Sequence, residues 1–258
     1  CIIIYSSKKY FSMKTYSIFS RSFLSAVIVS ALLFISCNKN DDDINVDSAG
    51  LMAVNLVPGT TVSFASSGNS ISPALPFNSY TGGYVPLLPG LKSIEAYTTN
   101  GLAANNSLNF ESGKYYSLFL VDTGSALQQV IVEDNFDSLS TTTQSFVRYI
   151  NAIPGTATPP SITIAVNGTN VVNESAMFAT VSDFTAIDAG AVTVTVSNGS
   201  DINVSRTITV ESLKVYTLLI SGIVGGTGDD AIQIKFIVNG TVDATGGRLA
   251  GSTVTTSN

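Results

Sequence analysis

After residue 50 the chain says nearly the same thing twice, and this constrains its fold more than any other feature. Residues 55–60 read NLVPGT and 151–156 read NAIPGT, an offset of 96; four extra residues, ATPP at 157–160, then move the offset to 100. From there Val62, Phe64, Ala65 and Gly68 meet Ile162, Ile164, Ala165 and Gly168, and Tyr84, Gly90 and Ile94 meet Phe184, Gly190 and Val194. The strongest block sets FESGKYYSLFL (110–120) against VESLKVYTLLI (210–220), with Glu, Ser, Lys, Tyr and Leu identical at matching places. A period near one hundred residues means tandem domains rather than a solenoid of short repeats.

Each unit reads as β throughout. In the second, AVTVTVSNGS alternates Val192, Val194 and Val196 with Thr193, Thr195 and Ser197, the period of a half-buried strand. Asn167-Gly168 and Asn198-Gly199 mark tight turns, as does Asn100-Gly101 in the first unit. About seven short strands per unit are expected, which favours an immunoglobulin-like antiparallel β-sandwich over a barrel. The expected division is therefore a sandwich over 50–136, a linker over 137–144, a second sandwich over 145–242 and a flexible tail or short final strand over 243–258. The Pro-Gly pairs at 58–59 and 154–155 follow an asparagine in both units and read as a shared domain corner. Glu111 with Lys114, and Glu211 with Lys214, are expected as hairpin-edge ion pairs. Tyr116 and Tyr216 are expected at the core, each hydroxyl reaching a backbone group.

The segment before the repeat carries an address. Lys14 and Arg21 precede the apolar run FLSAVIVSALLFIS (23–36), which ends on a small residue before Cys37 and the polar NKNDDD. These fourteen residues would make a helix of roughly 21 Å, short of a ~30 Å hydrocarbon core, so a signal peptide fits better than a membrane span. LFISC (33–37) resembles a lipobox, with Phe34 where an aliphatic residue is usual, and makes Cys37 the expected lipidation site. Residues 1–12 precede Met13 and are expected to be upstream translation, leaving 13–36 as the signal peptide and 37–49 as an acidic tether. An acidic run after the lipidated cysteine looks like the surface-export signal of Bacteroidota lipoproteins. Two placements stay open, the outer face of the outer membrane and its periplasmic face.

Charge and composition exclude more than they identify. Lys8, Lys9, Lys14 and Arg21 are the basic residues ahead of Cys37, so the mature part holds 18 acidic against 8 basic residues, a formal −10, which argues against a nucleic-acid partner. The chain has no histidine, which removes His-based triads and His-ligated zinc. The acids show no paired focus for carboxylate chemistry, and no phosphate-binding glycine loop is present. GGTGDDA (225–231) offers Asp229 and Asp230 as hard ligands, yet its spacing fits no standard calcium loop, so a hairpin tip is expected there. No enzyme activity, cofactor, metal or catalytic residue is expected.

The VNLVPGT and INAIPGT openings, AVNGT (165–169) and the closing KYYSLFLVD and KVYTLLISG strands resemble a family, domain of unknown function 4397, found as paired β-domains in lipoproteins of Bacteroidota and other bacteria. The first unit departs from it with SSGNS (66–70) in place of VNGTN. The resemblance implies the sandwich fold and assigns no catalytic or binding residue. Three functions stay open: a structural or adhesive envelope lipoprotein, a glycan-binding lipoprotein of a polysaccharide-uptake system, and a fimbria-like subunit whose tail completes a neighbour's sheet. The expected partners are the membrane, through Cys37, and a protein or glycan.

Overall fold

A computed structural model describes residues 48–141 and 143–242. Cys37, the signal segment, most of the tether and the tail 243–258 lie outside the described residues. The described residues fall within one compact unit. Its first half contains β1 (Ala49–Asn55), β2 (Ser63–Ser66), β3 (Asn69–Ser70), β4 (Ser79–Tyr80), β5 (Val85–Leu87), β6 (Gly90–Thr98), β7 (Gly101–Phe110), β8 (Tyr115–Asp122) and β9 (Leu127–Glu133). The second contains β10 (Ser145–Ala152), β11 (Ser161–Val166), β12 (Thr169–Ser175), β13 (Thr185–Ile187), β14 (Gly190–Ser197), β15 (Asn203–Val210), β16 (Lys214–Ser221) and β17 (Gln233–Thr241). The chain is all-β, built as two tandem sandwiches. The strands beyond the expected seven per unit are short ones, such as β3, β4 and β5.

In the first sandwich an outer sheet of order β3-β2-β6-β7 packs on an inner sheet of order β4-β1-β8-β9, with β5 also paired to β1. The second repeats this with an outer β12-β11-β14-β15 and an inner β13-β10-β16-β17. The pairing is antiparallel except at the centre of each inner sheet, where β1 runs parallel to β8 and β10 parallel to β16. A parallel pair needs a long crossover, and here the intervening chain supplies it by building the outer sheet.

The two inner sheets also face each other. Met52, Val54, Leu56, Phe119 and Val121 of the first sandwich form one buried cluster with Ile150, Ala152, Leu219 and Ile237 of the second. The described residues are thus four sheets deep with three apolar layers. Strand β1 shows the consequence: Leu51 and Ala53 join the core of their own sandwich, while Met52 and Val54 join the layer between sandwiches. Every residue of β1 and β10 is buried. Strands covered on both faces lack a polar–apolar alternation and read as mostly apolar runs, whereas β14, covered on one, keeps the clean alternation of valine and threonine.

The corners follow the expected residues with different bonding. Asn55 is fully buried; its amide donates to the carbonyls of Thr60 (2.7 Å) and Leu75 (2.9 Å), and its Oδ1 accepts from the Val57 N–H (3.0 Å). Asn151 does the same in the second sandwich, donating to Ala176 and accepting from Ile153. The asparagine, rather than the Pro-Gly pair after it, therefore holds the corner. Tyr116 and Tyr216 accept hydrogen bonds from the Glu111 and Glu211 N–H groups at 3.2 and 3.0 Å, as expected of core tyrosines. The expected Glu111–Lys114 ion pair is not formed: Lys114 instead reaches Glu133 (3.3 Å) and Asp137 (3.9 Å). The E-S-x-K spacing makes a turn, with the Lys114 and Lys214 N–H groups donating to the Glu111 and Glu211 carbonyls at 3.2 and 3.3 Å. Asn198-Gly199 opens a five-residue loop, not a tight turn, because Asn198 Oδ1 accepts from the N–H groups of Ser200, Asp201 and Ile202.

Candidate functional site

Strands β1 and β8 run the same way, so Asn55 and Asp122 lie at one end of the first sandwich and Ser48 at the other. The corner at 57–61, the β6–β7 turn and the start of β9 gather at the end away from Ser48, where they enclose a cleft of about 670 Å³. Its walls include Thr60, Thr61, Thr98, Thr99 and Asn100, and its apolar lining is Leu102, Ala103 and Leu127. The lining carries no charge. Thr60 and Thr98 spend their hydroxyls on local backbone, Thr60 donating to the Pro58 carbonyl and Thr98 accepting from the Asn100 N–H. The Thr61 and Thr99 hydroxyls and the Asn100 amide are left facing outward with no partner among the described residues. Such a lining suits a neutral, hydroxyl-bearing ligand. The second sandwich carries the ATPP insertion at the matching corner, and Pro160 is buried there.

The most concentrated chemistry lies between the sandwiches. Arg148 on β10 and Asp134 just after β9 have side chains only 3% and 0% exposed, and Nη1 stands 2.6 Å from Oδ1. Arg148 Nη2 donates to Ser117 Oγ (2.9 Å), which donates to Asp134 Oδ2 (2.6 Å). Arg148 Nε donates to Thr217 Oγ1 (3.0 Å), whose hydroxyl donates to Asn239 Oδ1 (2.6 Å). Asn239 Nδ2 then donates to the Tyr84 hydroxyl (3.0 Å), which donates to Asp134 Oδ2 (2.5 Å) and closes the ring. Each of the three hydroxyls accepts once and donates once, so they are satisfied without water, while Asp134 Oδ1 is matched by its ion pair with Arg148. The guanidinium also sits 4.3 Å from the Phe184 ring centroid. Burial and the neighbouring Asp134 carboxylate hold the Tyr84 hydroxyl well above the ordinary tyrosine range, keeping it a proton donor.

This ring joins Tyr84, Ser117 and Asp134 of the first sandwich to Arg148, Thr217 and Asn239 of the second, and every member is sealed from solvent or spent on another. It is a clamp, with no open position for a substrate. The repeat hides it: Arg148 falls at the offset where the first unit has Met52, and Thr217 where it has Ser117. A basic residue inside an otherwise apolar strand, FVRYI, is the signal that could have found it.

Two turns read from the sequence reach the cleft through Gly59 and Asn100, while Asp229 and Asp230 lie at neither place. Cys37 lies outside the described residues. Asp229 and Asp230 sit on a single 3₁₀ turn between β16 and β17, where the Asp230 carbonyl accepts from the Ile223 N–H at 2.9 Å. Among the described residues no three acidic, histidine or cysteine side chains stand close enough together to hold a metal ion.

No curated protein matches the chain. The family model described as Domain of unknown function (DUF4397) matches twice, over residues 49–158 and 145–250, the second match starting at β10. With both sandwiches covered and the repeat explained, the chain belongs to the DUF4397 family as a tandem-domain member.

Proposed function

We propose that the chain is a non-catalytic lipoprotein of the cell envelope, anchored through Cys37, that displays the two sandwiches as one rigid body for a structural, adhesive or binding role. The observation that carries this reading is the sealed clamp: the one concentrated set of charged and polar side chains described is consumed in locking the sandwiches together. Ser48 and Val242 lie at one end, since Tyr115, which pairs with Gly50 near the start of β1, packs in one apolar cluster with Val242. The opposite end is left for partners. Cys37→Ser is expected to yield a form that is either unprocessed or released from the membrane; a processed, membrane-held Cys37→Ser protein would overturn the anchor. Protease treatment of intact cells separates surface display from the periplasmic face.

A glycan-binding role is favoured by one observation, the uncharged threonine and asparagine cleft of the first sandwich. A glycan array probed with the chain from Asn45 onward tests it, binding being lost on Asn100→Ala with Thr99→Val. Binding that survives both changes would remove the cleft from consideration.

A further inference from the structure

We propose that the turn Leu88–Leu91 seats the first sandwich on the lipid bilayer that holds its anchor. The inference rests on the lipid-anchor reading of Cys37 and adds a second point of contact to it. The stretch VPLLPGL (85–91) has no charged or hydrogen-bonding side chain. Leu88 and Leu91 are 59% and 73% exposed, while Leu87 between the strand and the turn is buried in the core. Leu87 pairs with Ala49 at the start of β1, so the chain continues past Leu87 level with Ser48, the first described residue. The exposed leucines therefore stand at the end where the chain arrives from Cys37, eleven positions upstream. Even fully extended, that stretch spans no more than ~40 Å.

The repeat supplies an internal control. Gly90 and Gly190 take the same left-handed backbone, φ 104° and 127°, and Leu87 and Ile187 are both buried ahead of them. In the second sandwich the turn reads Asp188, Ala189, Gly190, Ala191. The turn's shape thus does not require leucine, and the apolar side chains occur only in the sandwich that follows the anchor. Two leucines bind a bilayer weakly on their own, but a tether of this length holds them at an effective concentration around the millimolar range, where weak insertion suffices. The turn itself carries no charge, although Lys92 and Glu111 flank it.

The chain has no tryptophan, so one introduced residue reports alone. Leu91→Trp in the full lipidated protein, reconstituted into vesicles of phosphatidylethanolamine and phosphatidylglycerol, is expected to emit at shorter wavelength and to be quenched about twofold or more by brominated acyl chains. Ala191→Trp is expected to show neither change, and adding Leu88→Ser to Leu91→Trp is expected to cut the quenching. In a second arm the chain from Asn45 onward, which lacks both native cysteines, receives an added N-terminal cysteine coupled to a maleimide lipid. Quenching there supports seating even if Cys37 proves unmodified in cells, which would sink the anchor reading alone. Absence of quenching in the anchored second arm overturns seating. So does a short-wavelength emission of Leu91→Trp without vesicles, which would mean that residues 243–258 or a second copy cover the turn.

Discussion

Replacing Arg148 by methionine isolates what the interdomain clamp contributes. Methionine already occupies the matching position in the repeat, Met52, where it is fully buried in the same apolar layer. The change therefore keeps packing nearly intact and removes the guanidinium with its contacts to Asp134, Ser117, Thr217 and Phe184. Asp134 is left as a carboxylate with no solvent exposure and only the Ser117 and Tyr84 hydroxyls as donors. Breaking a buried pair this way costs about 3–5 kcal/mol. At a urea slope of ~2–3 kcal/mol per molar, the midpoint falls by about 1–2 M. Asp134→Asn alone strands Arg148 and should cost a similar amount. The double variant pairs a neutral amide with an apolar side chain and should recover to within ~1–2 kcal/mol of the parent, a coupling of at least ~4 kcal/mol. Urea unfolding of the chain from Asn45 onward, followed by circular dichroism, measures all four. If the two single losses add to within ~0.5 kcal/mol in the double variant, the residues are not a unit and the clamp argument fails.

Three further outcomes follow from the same geometry. Asn55→Ala and Asn151→Ala should each lower stability by roughly 2–3 kcal/mol, because buried carbonyls and an N–H lose their partner at each corner; equal unfolding midpoints for variant and parent would contradict this. Tyr84 holds its proton more tightly folded than at the ordinary value of 10.0. Its contribution is complete below that pH and is lost as pH climbs through the raised folded value, so Tyr84→Phe should flatten the fall in unfolding midpoint above pH ~10. An unchanged alkaline slope would show that the hydroxyl is not held as described. Gly90→Ala forces a side chain into left-handed backbone and should cost about 1–2 kcal/mol, although the space beside it is open; thermal unfolding reads the shift, and a stabilised variant would refute it.

Much of the fold was legible because the chain states it twice. The valine–threonine alternation of β14 announced a strand covered on one face, and Asn167-Gly168 turned as read, with positive φ at both residues. Turn details escaped where a side chain outcompeted the pattern. Asn198 gathers three N–H groups and so builds a loop where its Asn-Gly pair predicts a two-residue turn. Lys114 finds Glu133 across the β8–β9 pair, because a turn places Glu111 and Lys114 in backbone contact while their side chains diverge. The clamp was illegible for a different reason: its six members are scattered from Tyr84 to Asn239, and its Arg148 stands where the repeat has Met52, so comparison of the halves discards it.

By itself the amino-acid sequence determined the all-β class, the two-fold repetition, the domain corners and the exclusion of histidine chemistry, since each depends on residue type and local spacing. Only the tertiary structure decided that the two sandwiches share a third apolar layer instead of hanging as separate beads. The largely apolar runs of β1, β8, β10 and β16 tell that both faces are covered, but not by what. Which sheet meets which is settled by long-range contacts, and there a single arginine in place of the repeat's methionine found its aspartate in the other half of the chain.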